Sequence, residues 1–241
     1  MTAGLSIDRR DDVCTVTLDR PEKRNALGAD VVEALIRTVT EAYGDSTRLL
    51  VLQGTGRNFS AGFDFGGIDQ SSDGELLLRF VRIEVLLQMI DRAPFLTLGL
   101  AHGRTFGAGA DLFAACKWRI AAEGAEFRMP GLKFGIVLGT RRFAKLVGRD
   151  MARGILETAR PFDAAEARKI GFATRIADQP AWPEIIAEAA DAARSLPDTS
   201  RSQLYEALGD DGSDGDLARL VRSAAEPGLV DRIRQHLAAP R

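Results

Sequence analysis

Residues 100–121 read LAHGRTFGAGADLFAACKWRIA, and the fold turns on Gly107, Ala108 and Gly109 followed at once by Asp111. The small residues come after FLTLGLAHG (95–103), an apolar run of the kind buried on both faces of a sheet. They open a short apolar helix, GAGADLFAACKW (107–118). Small residues at that point let another group approach the backbone closely, and a helix beginning there adds the positive end of its dipole to the same spot. The carboxylate one turn later is a cap, a surface charge or a chemical group.

The surrounding chain repeats the strand-to-helix pattern. Ile7–Arg9 and Val13–Leu18 alternate as two strands about the charged turn Arg10–Asp12, and Asp30–Tyr43 places Val31, Leu35, Val39 and Ala42 on one helical face. RLLVLQG (48–54) is a second fully buried strand, followed by the glycine-rich loop GTGRNFSAGFDFGG (54–67) and a helix over 75–92 that Pro94 ends. WRIAAEGAEFRM (118–129) reads as one further strand with a turn. About three strand–helix alternations argue for the α/β class with crossover connections. Beyond residue 140 strand signals vanish. RRFAKLVGRDMARGILE (141–157), FDAAEARKIGFA (162–173) and PAWPEIIAEAADAARSL (180–196) read as helices, GDDGSDGD (209–216) as a mobile linker, and 217–237 as a last helix that needs a surface to pack on. The expected organisation is a core over 1–180 and a helical C-terminal region over 181–241 that takes part in oligomer contacts.

Composition excludes several classes. With 32 Lys and Arg against 34 Asp and Glu, the net charge of −2 gives no field that gathers nucleic acid or anionic membrane. No apolar run approaches the roughly 18 residues of a membrane span, and MTAGLSIDRRDDV has no apolar leader segment. Cys14 and Cys116 lie far apart in apolar surroundings and read as buried, reduced thiols, which suits a cytoplasmic setting. Two histidines and two scattered cysteines make no zinc site.

The glycine loops fit few of the common chemistries. Gly107 and Gly109 lack the third glycine of a dinucleotide fingerprint, since Leu112 stands in its place. Gly54-Thr55-Gly56 lacks a phosphate-loop lysine. NFSAG (58–62) is similar to a nucleophile elbow, but Asn58 replaces its first glycine and Ser60 reads as a loop or capping serine. What remains is a pair of loops, FSAGFDFGG (59–67) and FGAGADL (106–112), each after a buried strand. Each can present a backbone N–H, and two such donors suit the charge that develops on a carbonyl oxygen.

Those loops, together with LDRPEKRNAL (18–27), LLVLQGTGRNFSAGFDF (49–65), residues 93–137 and ARPFDAAEARKIGFATRI (159–176), resemble the crotonase (enoyl-CoA hydratase/isomerase) superfamily. The resemblance implies a crotonase-like spiral of ββα units with a C-terminal helical region. It also implies assembly as a homotrimer or a dimer of trimers, and an acyl-CoA thioester as substrate. Coenzyme A would enter as part of that substrate, with no covalently bound cofactor. Residue by residue, the two oxyanion N–H groups fall on Phe63 and Ala108. Lys23, Arg24 and Ala26 fall on the loop that lies along CoA. Ala61, Gly62, Asp64, Phe65, Gly107, Gly109, Pro130 and Gly131 fall on the substrate-binding loops, Asp64 with a capping role.

Two positions depart from the family's pattern. Its hydratases use two glutamates to hold and activate water. The first falls on Asp111, one methylene shorter, which the resemblance makes the acid/base group; the second falls on Gly131 in RMPGLKFG (128–135), which has no side chain. His102, Arg104 and Glu126 are nearby in sequence, yet none stands at that position. The expectation is therefore an acyl-CoA enzyme whose chemistry is not conventional water addition; the alternative is a non-catalytic acyl-CoA-binding or assembly subunit. Arg141 and Arg142, in GIVLGTRRFAKLVG (135–148), stand where relatives carry a Gln-Arg pair and are expected to be structural. Phe65, Phe80, Phe106, Phe127, Phe134 and Val137 are candidates for the acyl pocket wall.

Overall fold

The computed structural model describes residues 4–209 and 212–239. The chain opens with a hairpin of β1 (Leu5–Arg10) and β2 (Val13–Leu18), turned at Asp11 with φ +54°. The helix α1 (Ala29–Gly44) then leads to β3 (Leu49–Gly54), and α2 (Asp73–Asp91) leads to β4 (Leu96–Ala101). The short β5 (Arg104–Phe106) and α3 (Ala108–Ala114) follow, then β6 (Trp118–Ala121) and β7 (Glu126–Arg128). A 3-10 turn at Gly131–Phe134 precedes α4 (Thr140–Val147) and α5 (Arg149–Thr158). β8 (Phe162–Asp163), α6 (Ala164–Lys169) and β9 (Arg175–Ile176) complete the strands, and α7 (Trp182–Arg194), α8 (Asp198–Leu208), α9 (Ser213–Ala224) and α10 (Leu229–Ala238) complete the helices.

Two sheets form. The larger runs β1-β2-β3-β4-β6-β9, parallel throughout except at β1, and the smaller runs β5-β7-β8. Successive strands alternate between them: β4 and β6 lie in the large sheet while β5 and β7 lie side by side in the small one. The large sheet is covered on both faces, which is why β3 is an unbroken apolar run. Leu50 and Leu52 pack into the core beneath α1, α2 and α3, whereas Leu49 and Val51, beside Leu98 of β4, cluster with Trp182, Ile185 and Ala189 on the other side. On β4 the α3 side is kept small: a Cβ at Gly99 would stand 3.0 Å from the Phe113 ring and 3.2 Å from Cys116 Sγ. That closeness seats α3 against the sheet.

The α/β class holds, and several elements differ from expectation. WRIAAEGAEFRM forms two strands in two different sheets, because the turn at 122–125 carries the chain from one to the other. Strands do occur beyond residue 140, but β8 and β9 are two residues long, too short to show any alternation. The helix expected over 141–157 is two, broken at Gly148 with φ +83°. The last helix is also two, parted at Gly228 with φ +76°. Ser213–Asp216, read as linker, is the first turn of α9, and Asp216 pairs with Arg141 at 2.7 Å; Asp210 and Asp211 of that linker lie outside the described residues. Both α9 and α10 pack on α2 of their own chain. Cys14 and Cys116 are free and buried, and burial pushes both thiols up, Cys116 to about 12. No helix among the described residues is long and apolar enough to cross a membrane.

Candidate active site

The loops after β2 and β3 are tied to one another before they reach any ligand. Arg24 and Asn25 adopt left-handed φ of 54° and 53°. Asn25 is buried and accepts from Arg20 N–H at 2.9 Å while its amide donates to the carbonyls of Thr55 and Asn58, both at 2.9 Å. Ser60, also buried, donates to Asn25 C=O at 2.8 Å and accepts from Gly62 N–H at 3.2 Å. Its hydroxyl is a brace, not a nucleophile. Asn25 stands within LDRPEKRNAL (18–27), and nothing in that spacing marks it as the knot between loops.

This bracing aims two backbone amides. Gly62 C=O accepts from Leu27 N–H at 2.7 Å, and Asp64 N–H donates to Leu27 C=O at 3.3 Å. N–H and C=O point opposite ways across a trans peptide, so Phe63 N–H points away from Leu27. Gly107 C=O accepts from Asp111 N–H at 3.0 Å inside the first turn of α3, which directs Ala108 N–H outward from the helix N-terminus. Neither Phe63 N–H nor Ala108 N–H donates to another described residue. The two loops touch: a Cβ at Gly62 would collide with Phe106 C=O and stand 3.1 Å from Ala108 N. Gly62 and Gly107 take φ of +86° and +51°, and a Cβ at Gly109 would stand 2.6 Å from Ser60 C=O. The glycines are therefore required by geometry on both sides of the seam.

Phe63 and Ala108 line a cavity of about 690 Å³. Lys23, Arg24, Ala26, Ala61, Asp64, Phe65, Gly107, Asp111, Pro130 and Gly131 line the same cavity, while Gly62 and Gly109 lie behind its wall. One side is charged. The outward residues of the small sheet, Arg104, Phe106, Glu126 and Arg128, continue from the Lys23–Arg24 loop, with the Arg104 guanidinium 5.9 Å from the Phe106 ring. The other side is apolar, formed by Phe65, Phe80, Phe134, Ile136 and Leu138. Of the aromatic candidates, Phe127 belongs to the buried core instead, stacked on Phe162 at 5.4 Å. Val137 is absent from the wall, and its N–H donates to Ser223 Oγ at 3.1 Å. Of the residues near Asp111 in sequence, Arg104 and Glu126 reach the charged rim, whereas His102 is bonded at 3.0 Å to Gly56 C=O behind the loops.

Asp111 is 3% exposed, and its Oδ1 has no hydrogen-bond partner among the described residues. Burial holds the carboxyl well above the usual carboxylate range; Arg142 opposes that shift and Glu84 adds to it. Arg142, on α4, is itself buried and donates to Glu84 of α2 at 3.2 Å. Gly139, the N-cap of α4, packs directly on Asp111: a Cβ there would collide with Oδ1, and its φ of +63° suits glycine. Asp111 thus faces the positive end of a helix as well as the pocket. Gly139 and Glu84 carried no sequence signal, since their contacts join segments far apart in the chain, whereas Arg142, expected to be structural, is the buried partner of Glu84. Gly131 stands in the same wall, where a Cβ would approach Ile136 C=O to 3.1 Å. Asp64 accepts from Gly66 N–H at 2.9 Å and lies 3.7 Å from Arg20, so its carboxylate closes a turn. Among the described residues no cluster of three or more His, Cys, Asp or Glu could hold a metal ion.

The sequence profile described as enoyl-CoA hydratase/isomerase matches residues 8–212. A crystal structure from Bordetella parapertussis, whose protein carries the provisional name enoyl-CoA hydratase/isomerase, is 58% identical. The match covers 98% of this chain and 99% of that one with a TM-score of 0.97. A probable enoyl-CoA hydratase of Mycobacterium tuberculosis is 34% identical over 215 residues, 87% of this chain and 84% of its own. The crystal structure of an enoyl-CoA hydratase from Bacillus halodurans superposes with a TM-score of 0.85 over 97% of this chain and all of that one, at 20% identity, a likeness of fold alone.

Proposed function

The chain belongs to the enoyl-CoA hydratase/isomerase family, and on that footing we propose that it turns over acyl-CoA thioesters through an enolate or oxyanion held by the Phe63 and Ala108 amides. The observation that carries this reading is the pair of unengaged N–H groups facing one cavity beside a buried carboxyl. A thioester oxygen set between them gains about 2.7–4 kcal/mol per donor as negative charge develops on it. Lys23 and Arg24 offer charge-assisted bonds to CoA phosphates, and the apolar side receives the acyl group.

Asp111 is the acid/base group of this proposal. Burial raises the Asp111 carboxyl well above the usual carboxylate range, which suits a group that exchanges a proton with the α-carbon of the substrate, giving it up as the acid and taking it as the base. In decarboxylation, or cleavage of a C–C bond next to the thioester, the breaking bond leaves the enolate and Asp111 protonates it and is reprotonated from solvent. In isomerisation the ionised carboxyl first removes a proton from carbon and then returns it to another carbon. Water addition needs a second group to hold and activate water, and Gly131 supplies none. A second reading, an acyl-CoA-binding subunit without turnover, is favoured by the same empty side-chain position. A homotrimer or pair of trimers and a cytoplasmic setting belong to this proposal as inheritances of the family resemblance.

A panel of acyl-CoA esters tested for binding and turnover, with products identified by mass, separates these readings. Asp111→Asn is expected to abolish turnover while thioester affinity stays within a few-fold. Hydration of crotonyl-CoA at ordinary hydratase rates overturns the argument from Gly131. Tight binding with no turnover and no solvent-deuterium exchange at the acyl α-carbon establishes the second reading.

A further inference from the structure

Behind Asp111 lies a second pair of buried charges, and neither member lines the cavity. Glu84 of α2 is buried among Ile83, Leu86 and Leu87, and Arg142 of α4 is buried with it. Arg142 Nη2 donates to Glu84 Oε1 at 3.2 Å, and the same oxygen accepts from Gln88 at 3.1 Å. Glu84 Oε2, Arg142 Nε, Arg142 Nη1 and Asp111 Oδ1 are buried without a hydrogen-bond partner among the described residues. These orphaned atoms gather where α3 packs on α2 and on α4. Desolvating two ions offsets most of their attraction, so such a pair does little for stability. We propose that Glu84 is a positioning residue for the reaction: it holds Arg142 behind Asp111, neutralises part of that cation, and so governs the pH at which Asp111 gives up its proton. The inference rests on the acyl-CoA reading and deepens it by naming a residue outside the pocket that regulates the acid/base group.

The route from Glu84 to Asp111 runs through α4. Gly139, the N-cap of that helix, packs on Asp111 so closely that a Cβ would collide with Oδ1, and Arg142 stands in the first turn that follows. Burial is the largest influence on Asp111 and raises its hold on a proton; Arg142 lowers that hold and Glu84 raises it again. Glu84 is in turn pushed up by burial and drawn down by Arg142. The other charges on the surrounding elements are engaged or lie at the edge. On α2, Asp91 stands 3.9 Å from Arg142 Nε, and its C=O accepts from Lys117, just after α3, at 3.3 Å. On α9, Asp216 adds to the rise at Glu84 but is held by Arg141 of α4 at 2.7 Å. α1 presents Glu33, which pairs with Arg82 at 2.6 Å, and α10 meets the far end of α2, where Asp73 accepts from Gly228 and Val230 N–H. Next to α3, β5 contributes Arg104, which sits at the charged rim. Without the Glu84 charge, only the partly exposed Asp91 offsets Arg142, and an Arg142 so released favours the Asp111 carboxylate.

The test follows the Asp111 carboxyl by carbon-13 NMR of aspartate-labelled protein, its resonance assigned by its loss in Asp111→Asn, alongside the pH profile of kcat/KM on the thioester found by the screen. Glu84→Gln keeps the shape and removes the charge. It is expected to move the Asp111 midpoint down by about one pH unit, within the range a nearby opposite charge produces, and to move the limb of the profile that Asp111 governs by the same amount. The double variant Glu84→Gln, Arg142→Gln leaves no unpaired ion inside the protein and is expected to bring the midpoint back to the unsubstituted value or above it. It also serves where the single variant does not fold, because an unchanged or lowered midpoint supports or overturns the action through Arg142 by itself: lowered, the inference fails. An unmoved midpoint in folded Glu84→Gln likewise overturns the inference and leaves the acyl-CoA reading standing. A midpoint that moves as expected in a protein that turns over no thioester overturns the acyl-CoA reading, and with it any role of Glu84 in the reaction.

Discussion

Asp111 concentrates the tension between stability and chemistry in one side chain. Its carboxyl is buried, lacks a partner at Oδ1, and is pressed by Gly139 from one side. Burial raises its folded-state pKa above the unfolded value near 3.9. The folded protein therefore binds that proton more tightly than the unfolded chain does. The penalty is absent below about pH 4 and grows as pH rises from there towards the folded pKa. Asp111→Asn keeps the shape and removes the titration. It is expected to stabilise the protein by about 0.5–2 kcal/mol at neutral pH and to lose that advantage at acid pH, as urea unfolding at the two pH values would show. Position 111 was legible in the sequence because it sits one turn into a helix behind small residues. Its surroundings were not, since Gly139 and Arg142 meet it only through the packing of α4 on α3.

A single helix, α2, organises more of the site than its sequence suggested. Ser72 accepts from Glu75 N–H and Glu75 returns a bond to Ser72 N–H, a reciprocal cap that starts the helix. Along its inner side Arg79 donates to Asp64 C=O and lays its guanidinium 4.3 Å from the centre of the Phe63 ring, and Phe80 stacks on that ring. Arg79 therefore grips the two residues that follow Gly62. Arg79→Ala is expected to loosen the loop and, because a shift near 1 Å can cost about a hundredfold, to lower kcat/KM by about ten- to a hundredfold. Steady-state kinetics on the thioester found by the screen measures it, with Arg79→Lys recovering only part because it lacks the flat stacking surface. The helix itself was readable from its apolar spacing and from Pro94. Glu84 was not: a charged residue at such a position reads as surface, and here it is 1% exposed beside Arg142. Strands β5, β8 and β9 escaped notice for a different reason, being held by tertiary pairing across the small sheet and the edge of the large one and not by local pattern.

For the molecule as a whole, the order of buried strands and glycine loops was enough to read the α/β class and the family resemblance, whereas the path of the last thirty residues was decided by contacts no short window contains. The core is continuous from the hairpin through α3 to α10, and a second apolar layer lies under α7. Both native thiols sit inside the first of these layers, at 0% and 2% exposure. An alkylating reagent such as a maleimide should therefore leave the folded protein unmodified and add two equivalents only after denaturation, which mass spectrometry reads directly. The molecule is in effect silent to thiol labelling. A cysteine placed on the outer surface of α10 would be its sole reactive handle, and a fluorophore attached there would report changes around that helix without first rebuilding the interior.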